Sequence, residues 1–322
     1  MNALRAQDLL QRFAQLNVLV AGDLMLDEFV WGNVSRISPE APVPVVEVTG
    51  ESFYAGGAAN VARNLREFGA RVSVTGLTGA DPAGRRLLSL LEDSGIDSSS
   101  ILEDPARRTI IKTRVIARHQ QVVRIDRESP MAPAAAQTHE LLARIAPRMA
   151  AYDAVILSDY AKGFLTPAMA EGLCAAAQGK VVTVDPSPFN PLPWRQVTAV
   201  KPNLKEAAAA AQLAPGAAVE DIGAALLRQW GASMVLVTMG EQGMMLFEGG
   251  ASPYHTPTRA REVFDVSGAG DTAIAIFTLG LAAGAAAREA AELANHASGV
   301  AVGKLGTATV TPGELLESVA RA

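Results

Sequence analysis

The chain has 322 residues, of which 49% are hydrophobic, 19% charged and 5% aromatic, and its formal net charge is −5. This length provides one large α/β domain or two modest ones with an ample core, and the mild acidity argues against a nucleic-acid-binding surface. A single cysteine, Cys174, excludes a disulfide framework and a cysteine-built zinc site, and its apolar surroundings indicate a core position. The first 16 residues lack an apolar signal core and predict a surface helix. We therefore expect a cytoplasmic globular protein that binds neither nucleic acid nor membrane.

Short apolar runs alternate with helical patterns along most of the chain. The runs are apolar on both faces, as parallel strands covered by helices must be. They are residues 17–23, 72–76, 154–159, 181–185, 198–201 and 234–238. Helical patterns at 59–68, 84–94 and 221–230 each end at a glycine, which satisfies the last carbonyls of a helix. This alternation predicts an α/β fold with a doubly wound, mostly parallel sheet flanked by helices.

Two segments do not fit the strand–helix repeat. Residues 43–48 are extended and contain prolines, as in an edge strand, and residues 109–125 have the pattern of a hairpin. We expect them to form a small second sheet, a lid built from segments of about 28–50 and 107–127, that covers the substrate. Because no long linker is found, we expect one domain over residues 1–322.

Several predicted strands end in polar or glycine residues. Because ligands of open α/β sheets bind beyond the carboxyl ends of the strands, these endings together predict one active-site rim. The endings are Gly22-Asp23, Ser158-Asp159, Asp185, Lys201-Pro202-Asn203 and Thr238-Met239-Gly240.

The most informative stretch is Gly268-Ala269-Gly270-Asp271, which opens the apolar helical pattern at 268–287. Two glycines let backbone N–H groups approach a ligand, and the helix N-terminus adds partial positive charge, so we predict an anion hole for a phosphoryl group. Asp271 is placed to accept a proton from an attacking alcohol. On this segment alone, the alternative is close helix packing with Asp271 as a cap. The helix is as long as a membrane span, but its small residues and its acid indicate burial in the protein.

A second glycine cluster, Gly56-Gly57, precedes Asn60 in the first turn of the predicted helix at 59–68. Backbone N–H groups and the Asn60 amide could bind sugar hydroxyls there. Any tight turn into a helix would give a similar pattern, so this motif alone is weak evidence for a binding site.

The two glycine clusters, in this order and at this separation, resemble the two signatures of the ribokinase (PfkB) family of sugar kinases, and the resemblance extends over essentially the whole chain. Asn203-Leu204-Lys205-Glu206 is similar to the family's Asn-x-x-Glu element, and Thr238 to Gly243 is similar to its nucleotide-binding turn. The resemblance implies a ribokinase-like fold and ATP-dependent phosphorylation of a sugar hydroxyl, with Asp271 as base. It also implies magnesium-bound ATP and a homodimer formed through the β-lid.

A narrower resemblance concerns residues 22–27, 35–45, 118–121 and 158–163, which are similar to those of heptose 7-phosphate kinases in lipopolysaccharide-core assembly. It implies phosphorylation of D-glycero-β-D-manno-heptose 7-phosphate at the C1 hydroxyl to give the 1,7-bisphosphate. Many such kinases are fused to a nucleotidyltransferase with a His-x-Gly-His motif. The four histidines of this chain form no such motif, so we expect the stand-alone kinase.

The alternatives are a ribokinase-like kinase for another acceptor (ribose, a fructose phosphate, a 2-keto sugar acid or a nucleoside) and a catalytically idle sugar- or nucleotide-binding regulator. A nicotinamide dehydrogenase is disfavoured because no glycine fingerprint follows the first strand. Ordinary P-loop chemistry is excluded because the chain has no Walker A motif.

The resemblance also assigns expected ligand contacts. Asp23 and Asp27 lie where the family binds sugar hydroxyls, together with Gly56, Gly57 and Asn60. A substrate phosphate needs cations, for which we expect Lys112, Arg118 and Lys162. On an ideal hairpin, Lys112, Arg114 and Arg118 would share one face.

The expected nucleotide contacts are Asn203, Glu206, Thr238, Gly240, Gly243 and Asn295. Glu206 would reach Mg²⁺ through water, because this ion keeps several waters of its own. The resemblance also implies a monovalent cation such as K⁺ near Asp265 and Ser267, although Val310 falls near an expected hydroxyl position.

Overall fold

The fold is described from a computed structural model that covers residues 1–117, 120–214, 216–260, 262–304 and 306–321. The strands are β1 (Asn17–Gly22), β2 (Leu24–Ile37), β3 (Pro44–Gly57), β4 (Arg71–Gly79), β5 (Asp97–Asp104), β6 (Ile110–Ala117), β7 (Gln120–Arg127), β8 (Ala154–Ser158), β9 (Val181–Asp185), β10 (Ala199–Val200), β11 (Met234–Thr238), β12 (Met244–Glu248) and β13 (Tyr254–Thr256). The helices are α1 (Ala3–Phe13), α2 (Ala58–Glu67), α3 (Pro82–Asp93), α4 (Ala135–Ile145), α5 (Pro167–Ala176), α6 (Leu204–Ala210), α7 (Val219–Trp230), α8 (Ala269–Ala282), α9 (Ala287–Ala301) and α10 (Pro312–Ala320).

The large sheet has the strand order β13-β12-β11-β10-β9-β8-β1-β4-β5. Its strands pair in parallel from β5 to β11, and β12 and β13 are added antiparallel at one edge. The six predicted apolar runs are confirmed as β1, β4, β8, β9, β10 and β11. Strand β1 lies between β4 and β8, so the strands that follow it in the chain are added on both of its sides. The crevice beyond the carboxyl end of β1 is therefore a topological switch point, where such sheets bind ligands.

The small sheet has the order β3-β2-β6-β7. The predicted hairpin at 109–125 is present as the antiparallel pair β6 and β7, whereas the expected short edge strand at 43–48 is part of a much longer ribbon formed by β2 and β3. Gly56 and Gly57, expected in a loop, are the last residues of β3 and pair with Met25 and Leu24. The small sheet thus begins closer to the active-site rim than the sequence predicted.

The core surrounds the central helices and both faces of the large sheet. Helix α8 is buried along most of its length and packs between α2 and α9, as the predicted burial of residues 268–287 requires. At Gly280 an added Cβ would lie 2.8 Å from Ala290 Cβ, so glycine there permits the close approach of α9. Cys174 is buried on α5 within the core. Across the described ranges, no helix has the length and apolar character that a membrane crossing requires.

Candidate active site

The N-terminus of α8 lies at this switch point and is shaped by glycine. Gly268 has φ 78°, in the left-handed region, and an added Cβ would lie 3.1 Å from Asn60 Nδ2. No side chain of the described residues caps the first turn, which contains Ala269, Gly270 and Asp271. The Ala269 N–H donates to Val266 O at 3.3 Å, whereas the N–H groups of Gly270 and Asp271 have no acceptor among the described residues and remain available to an anion.

Asp271 does not cap its own helix, so the alternative that it serves only as a cap is wrong. Its carboxylate instead contacts two distant segments of the chain. The Asn60 amide donates to Oδ2 at 2.7 Å, and the Tyr160 hydroxyl donates to Oδ1 at 2.5 Å. Burial raises the pKa of Asp271, against the opposing effects of these two hydrogen bonds and of nearby Lys201. A buried carboxylate with a raised pKa is a better proton acceptor than an exposed one.

A buried ion pair borders the same turn. Lys201 Nζ lies 3.0 Å from Asp185 Oδ1, and a Cβ added at Gly270 would be 3.5 Å from that ammonium. Burial, opposed by the charge of Lys201 and assisted by that of Asp271, raises the pKa of Asp185 to about 7. Both residues belong to strand endings on the predicted rim, but the sequence analysis assigned a role to neither. A positive charge therefore accompanies the backbone N–H groups at the anion-binding turn.

Asp23 has a structural role that the sequence analysis did not predict. Its carboxylate accepts three backbone N–H bonds from one loop: from Tyr160 at 2.9 Å, Lys162 at 3.0 Å and Phe164 at 3.0 Å. Within this loop Ala161 has φ 53°, a conformation that costs a non-glycine residue free energy. Asp23 therefore holds the strained loop that carries Tyr160. Contact between Asp23 and a sugar hydroxyl stays a prediction.

Asp27 is buried on β2 against the end of β3. A Cβ at Gly56 would lie 2.5 Å from Asp27 Oδ2, so the glycine is required for this carboxylate to fit. Arg114 on β6 donates to Asp27 Oδ1 at 2.5 Å. Gly57 has φ 59° and approaches the backbone oxygen of Asp23. The glycine motif thus serves the placement of Asp27 as well as the turn into α2.

The structure brings together two of the predicted phosphate-binding cations. Lys112 Nζ lies 3.5 Å from Glu128 Oε2, and Lys162 Nζ lies 2.8 Å from Glu128 Oε1. Lys112 also contacts Asp126 at 3.3 Å. Lys112 and Arg114 are two residues apart on β6 but have different acidic partners, and Arg118 lies outside the described residues. Glu128, which the sequence analysis did not select, holds the two lysines in one cluster.

A groove of about 650 Å³ leads to the anion-binding turn, and Ala269 and Gly270 belong to its lining. Four of the predicted nucleotide contacts also line it: Thr238, Gly240, Gly243 and Asn295. Its remaining wall is largely apolar and includes Met244, Val263 and Val302. The Asn295 amide donates to Pro257 O at 2.6 Å and to Thr256 Oγ1 at 3.0 Å, so its orientation is fixed. A flat apolar group with a polar chain pointing toward α8 fits this groove.

Asn203 and Glu206 form a capping box at the start of α6. The Glu206 carboxylate accepts from the Asn203 N–H at 2.8 Å, and the Asn203 side chain accepts from the Glu206 N–H at 3.0 Å. Glu206 also raises the pKa of Asp185 through charge repulsion. Among the described residues, neither Asn203 nor Glu206 lines the groove. Binding of magnesium by Glu206 through water stays a prediction.

The predicted cation-binding loop is closed by Asp265. Its Oδ1 accepts from the Ser267 N–H at 2.9 Å and its Oδ2 accepts from the Gly306 N–H at 3.1 Å. The carboxylate thus ties the loop before α8 to the segment before α10. Cation binding by Asp265 and Ser267 stays a prediction.

A buried carboxylate beside unshielded helix N–H groups, at the end of a nucleotide-sized groove, defines a phosphotransferase acting on an alcohol. Comparison with known proteins agrees: residues 15–313 match the family model for pfkB family carbohydrate kinases, and the chain belongs to this family. It is accordingly a ribokinase-like sugar kinase, with ATP and a sugar as its substrates.

The chain is similar to curated relatives over nearly its whole length. It is 44% identical over 317 residues to the bifunctional protein HldE of Trichlorobacter lovleyi, covering 97% of this chain and 65% of the relative. It is 45% identical over 324 residues to HldE of Pelobacter propionicus, covering 98% and 66%. The chain thus spans about two thirds of the length of these relatives.

Solved structures share the fold at low sequence identity. Phosphofructokinase-2 from Escherichia coli in complex with potassium superposes with a TM-score of 0.78 at 20% identity, covering 95% of this chain and 98% of that one. Ribokinase from Arabidopsis thaliana complexed with ribose and ATP gives 0.72 at 18% identity, covering 94% and 98%. These similarities confirm the predicted ribokinase-like architecture.

Proposed function

We propose that this sugar kinase phosphorylates D-glycero-β-D-manno-heptose 7-phosphate at the C1 hydroxyl, a step in ADP-heptose and lipopolysaccharide-core synthesis. The observation that carries the catalytic part is the placement of Asp271. It lies in the first turn of α8, between Asn60 and Tyr160, where the nucleotide groove ends. The acceptor is supported by the lysine pair at Glu128 and by the resemblance of residues 22–27, 35–45 and 158–163 to heptose 7-phosphate kinases.

In the proposed reaction, ATP lies in the groove with its γ-phosphate toward the start of α8, where the Gly270 N–H is available. Asp271 accepts the proton of the sugar hydroxyl while the hydroxyl oxygen bonds to the γ-phosphorus and ADP leaves. The Gly270 N–H and Lys201 stabilise the charge on the transferring group. Magnesium, when bound, would neutralise charge on the β- and γ-phosphates, and Glu206 would hold it through water.

The sugar lies between the small sheet and the switch point in this proposal. Asp27 and Asn60 accept or donate at the sugar hydroxyls, and the absence of a side chain at Gly56 leaves room for the Asp27 carboxylate. Lys112, Lys162 and Arg118 bind the 7-phosphate. Glu128 keeps the two lysines near each other, so the receptor is assembled before the substrate arrives.

A panel assay tests this function. ADP release is measured with heptose 7-phosphate and, in parallel, ribose, fructose 6-phosphate, a 2-keto sugar acid and a nucleoside, and phosphorus NMR identifies the product. We expect the highest kcat/KM with heptose 7-phosphate and a 1,7-bisphosphate product. A higher kcat/KM with another sugar would assign that sugar as the acceptor. Absence of turnover with every sugar would favour the regulator alternative.

We further propose a single-domain cytoplasmic kinase that forms a homodimer through the small sheet and is activated by potassium at Asp265 and Ser267. The dimer is supported by the exposed strand β7, where Val122, Val123 and Ile125 face solvent. Such apolar side chains on an edge strand are typical of a pairing surface. Light scattering tests the dimer, which Val123→Lys should weaken.

A further inference from the structure

The catalytic carboxylate has a hydrogen-bond donor on each of its oxygens before any sugar arrives. Oδ2 accepts from Asn60 and Oδ1 accepts from Tyr160, and Asp271 is buried. An alcohol that is to be deprotonated must donate to one of these two oxygens. One of the two donors therefore has to move, or share its oxygen, when the acceptor binds.

The two donors differ in how firmly they are held. Asn60 lies in the first turn of α2, is 1% exposed, and its backbone oxygen accepts from the Asn64 amide at 2.9 Å. Tyr160 lies in a loop beyond β8 and is half-buried as a whole residue, although its hydroxyl lies inside the site. Asp23 fixes the backbone N–H of Tyr160, so the phenol can swing by side-chain rotation while the loop stays in place. Tyr160 is the donor that can be replaced.

The hydroxyl of Tyr160 is chemically similar to the sugar hydroxyl that would replace it. Burial and the negative charge of Asp271 raise the pKa of the phenol well above its usual value, so it remains a neutral O–H donor. A neutral hydroxyl that donates to the carboxylate occupies the same position, with the same polarity, as an acceptor alcohol. Water could occupy this position too, because it is smaller than any sugar.

We propose that the Tyr160 hydroxyl occupies the position of the acceptor alcohol on Asp271 until a sugar displaces it. The hydroxyl thereby prevents water from binding there and donating its proton to Asp271. The inference rests on the proposed role of Asp271. Without this protection, water would donate its proton to Asp271 while its oxygen bonds to the γ-phosphorus, and ATP would be converted into ADP and phosphate. With sugar bound, the sugar hydroxyl replaces Tyr160 at Oδ1, and the same transfer yields the sugar phosphate.

The test is ATP hydrolysis without any sugar, which does not depend on knowing the acceptor. Tyr160→Phe removes the hydroxyl and keeps the ring, and we expect ADP release to rise at least about tenfold, with the ~10²–10⁴-fold that a general base supplies as the upper bound. Tyr160→Phe combined with Asp271→Asn should return hydrolysis to the level of the unmodified protein. Tyr254→Phe is the matched control, because Tyr254 also donates to a carboxylate, Glu292, at 2.5 Å, and should leave hydrolysis unchanged.

The pH dependence of kcat/KM distinguishes the proposed role of Tyr160 from a purely structural one. The hydrogen bond from Tyr160 lowers the pKa of Asp271, and the other charged groups near this carboxylate are Lys201, Asp27 and Asp185. Tyr160→Phe leaves those groups in place, so the acid limb of kcat/KM for sugar phosphorylation should shift to higher pH. An unchanged acid limb together with unchanged hydrolysis would overturn the proposal.

The outcomes separate this inference from the proposed function. If Asp271→Asn still phosphorylates sugar, both the proposed role of Asp271 as base and the inference about Tyr160 are wrong. Loss of phosphorylation in Asp271→Asn, with no gain of hydrolysis in Tyr160→Phe, would overturn the inference alone. If Tyr160→Phe does not fold, ultraviolet difference spectra of the unmodified protein replace it. Adding the sugar that supports turnover should shift tyrosine absorption, equally in Tyr254→Phe, and the absence of a shift would contradict displacement.

Discussion

The two ends of the proposed sugar site are built differently. At the base, Asp271 is buried and accepts from two neutral donors, Asn60 on α2 and Tyr160 in the loop after β8. At the phosphate end, Lys112 and Lys162 share Glu128 and lie on the small sheet and a loop, partly open to solvent. Neutral partners such as those of Asp271 orient a reacting group. Partly exposed lysines such as those at Glu128 can instead release a carboxylate and bind a phosphate. Changes at the base should therefore reduce kcat, and changes at the lysines should raise KM.

The largest effect is expected from Asp271→Asn. The amide keeps the shape of the side chain but cannot accept the alcohol proton, so turnover should fall by roughly 10²–10⁴-fold. ATP affinity, measured by calorimetry, should stay within a few-fold because the groove is unchanged. Near-normal turnover would remove Asp271 from its role as base.

A smaller loss is expected from Lys201→Met. The ammonium lies beside Gly270, and removing one group that stabilises transition-state charge typically costs ~10²-fold or more in kcat. The substitution also leaves Asp185 buried without its cation, so thermal melting must accompany the kinetics. The double variant Lys201→Met, Asp185→Asn removes this uncompensated charge. A recovery of kcat in the double variant would show that Lys201 acts only by neutralising Asp185.

At the opposite end, Lys162→Ala and Lys112→Ala should each raise KM for the sugar phosphate. A charge-assisted hydrogen bond contributes about 1.5–3 kcal/mol, so an increase of roughly 10–100-fold is expected with a much smaller change in kcat. Lys180→Ala is the matched control, since the one hydrogen bond of its ammonium within the described residues goes to the backbone oxygen of Ala150 at 3.2 Å. Calorimetry with the unphosphorylated heptose completes the test. An equal loss of affinity for that sugar would mean that the lysines do not bind the phosphate.

The base end was more predictable from sequence than the groups around it. Gly268, Gly270 and Asp271 are adjacent in the chain, and glycine at a helix start has few explanations, so the anion-binding turn could be inferred locally. Tyr160 lies 111 residues from Asp271, and no periodicity links the two. A carboxylate after a strand, such as Asp23, can accept from a sugar or from a loop, and only the folded path of residues 159–164 shows that it accepts from the loop.

The small sheet was only partly predictable for a similar reason. Strand β2 is half exposed and rich in polar residues, so it lacks the apolar run that identified the central strands. Strand β2 is stabilised by cross-strand pairs with β3 and β6, and the residue propensities of one segment do not show which strands it will pair with.

The smallest effect concerns the loop that joins the two ends. Burial, followed by the charge of Asp23, raises the pKa of Asp159 to about 7, against hydrogen bonds from the Ala161 N–H and the Asn190 amide. Because its pKa is higher folded than unfolded, Asp159 stabilises the fold fully below the unfolded pKa, and this stabilisation is lost as pH rises through about 7. In urea unfolding, Asp159 should account for at most about 1.4 kcal/mol of the stability that the unmodified protein loses per pH unit between those values. Asp159→Asn should flatten that slope. If the slopes of the two proteins agree, Asp159 is ionised in the fold, and the loop that carries Tyr160 and Lys162 is held without a proton on this carboxyl.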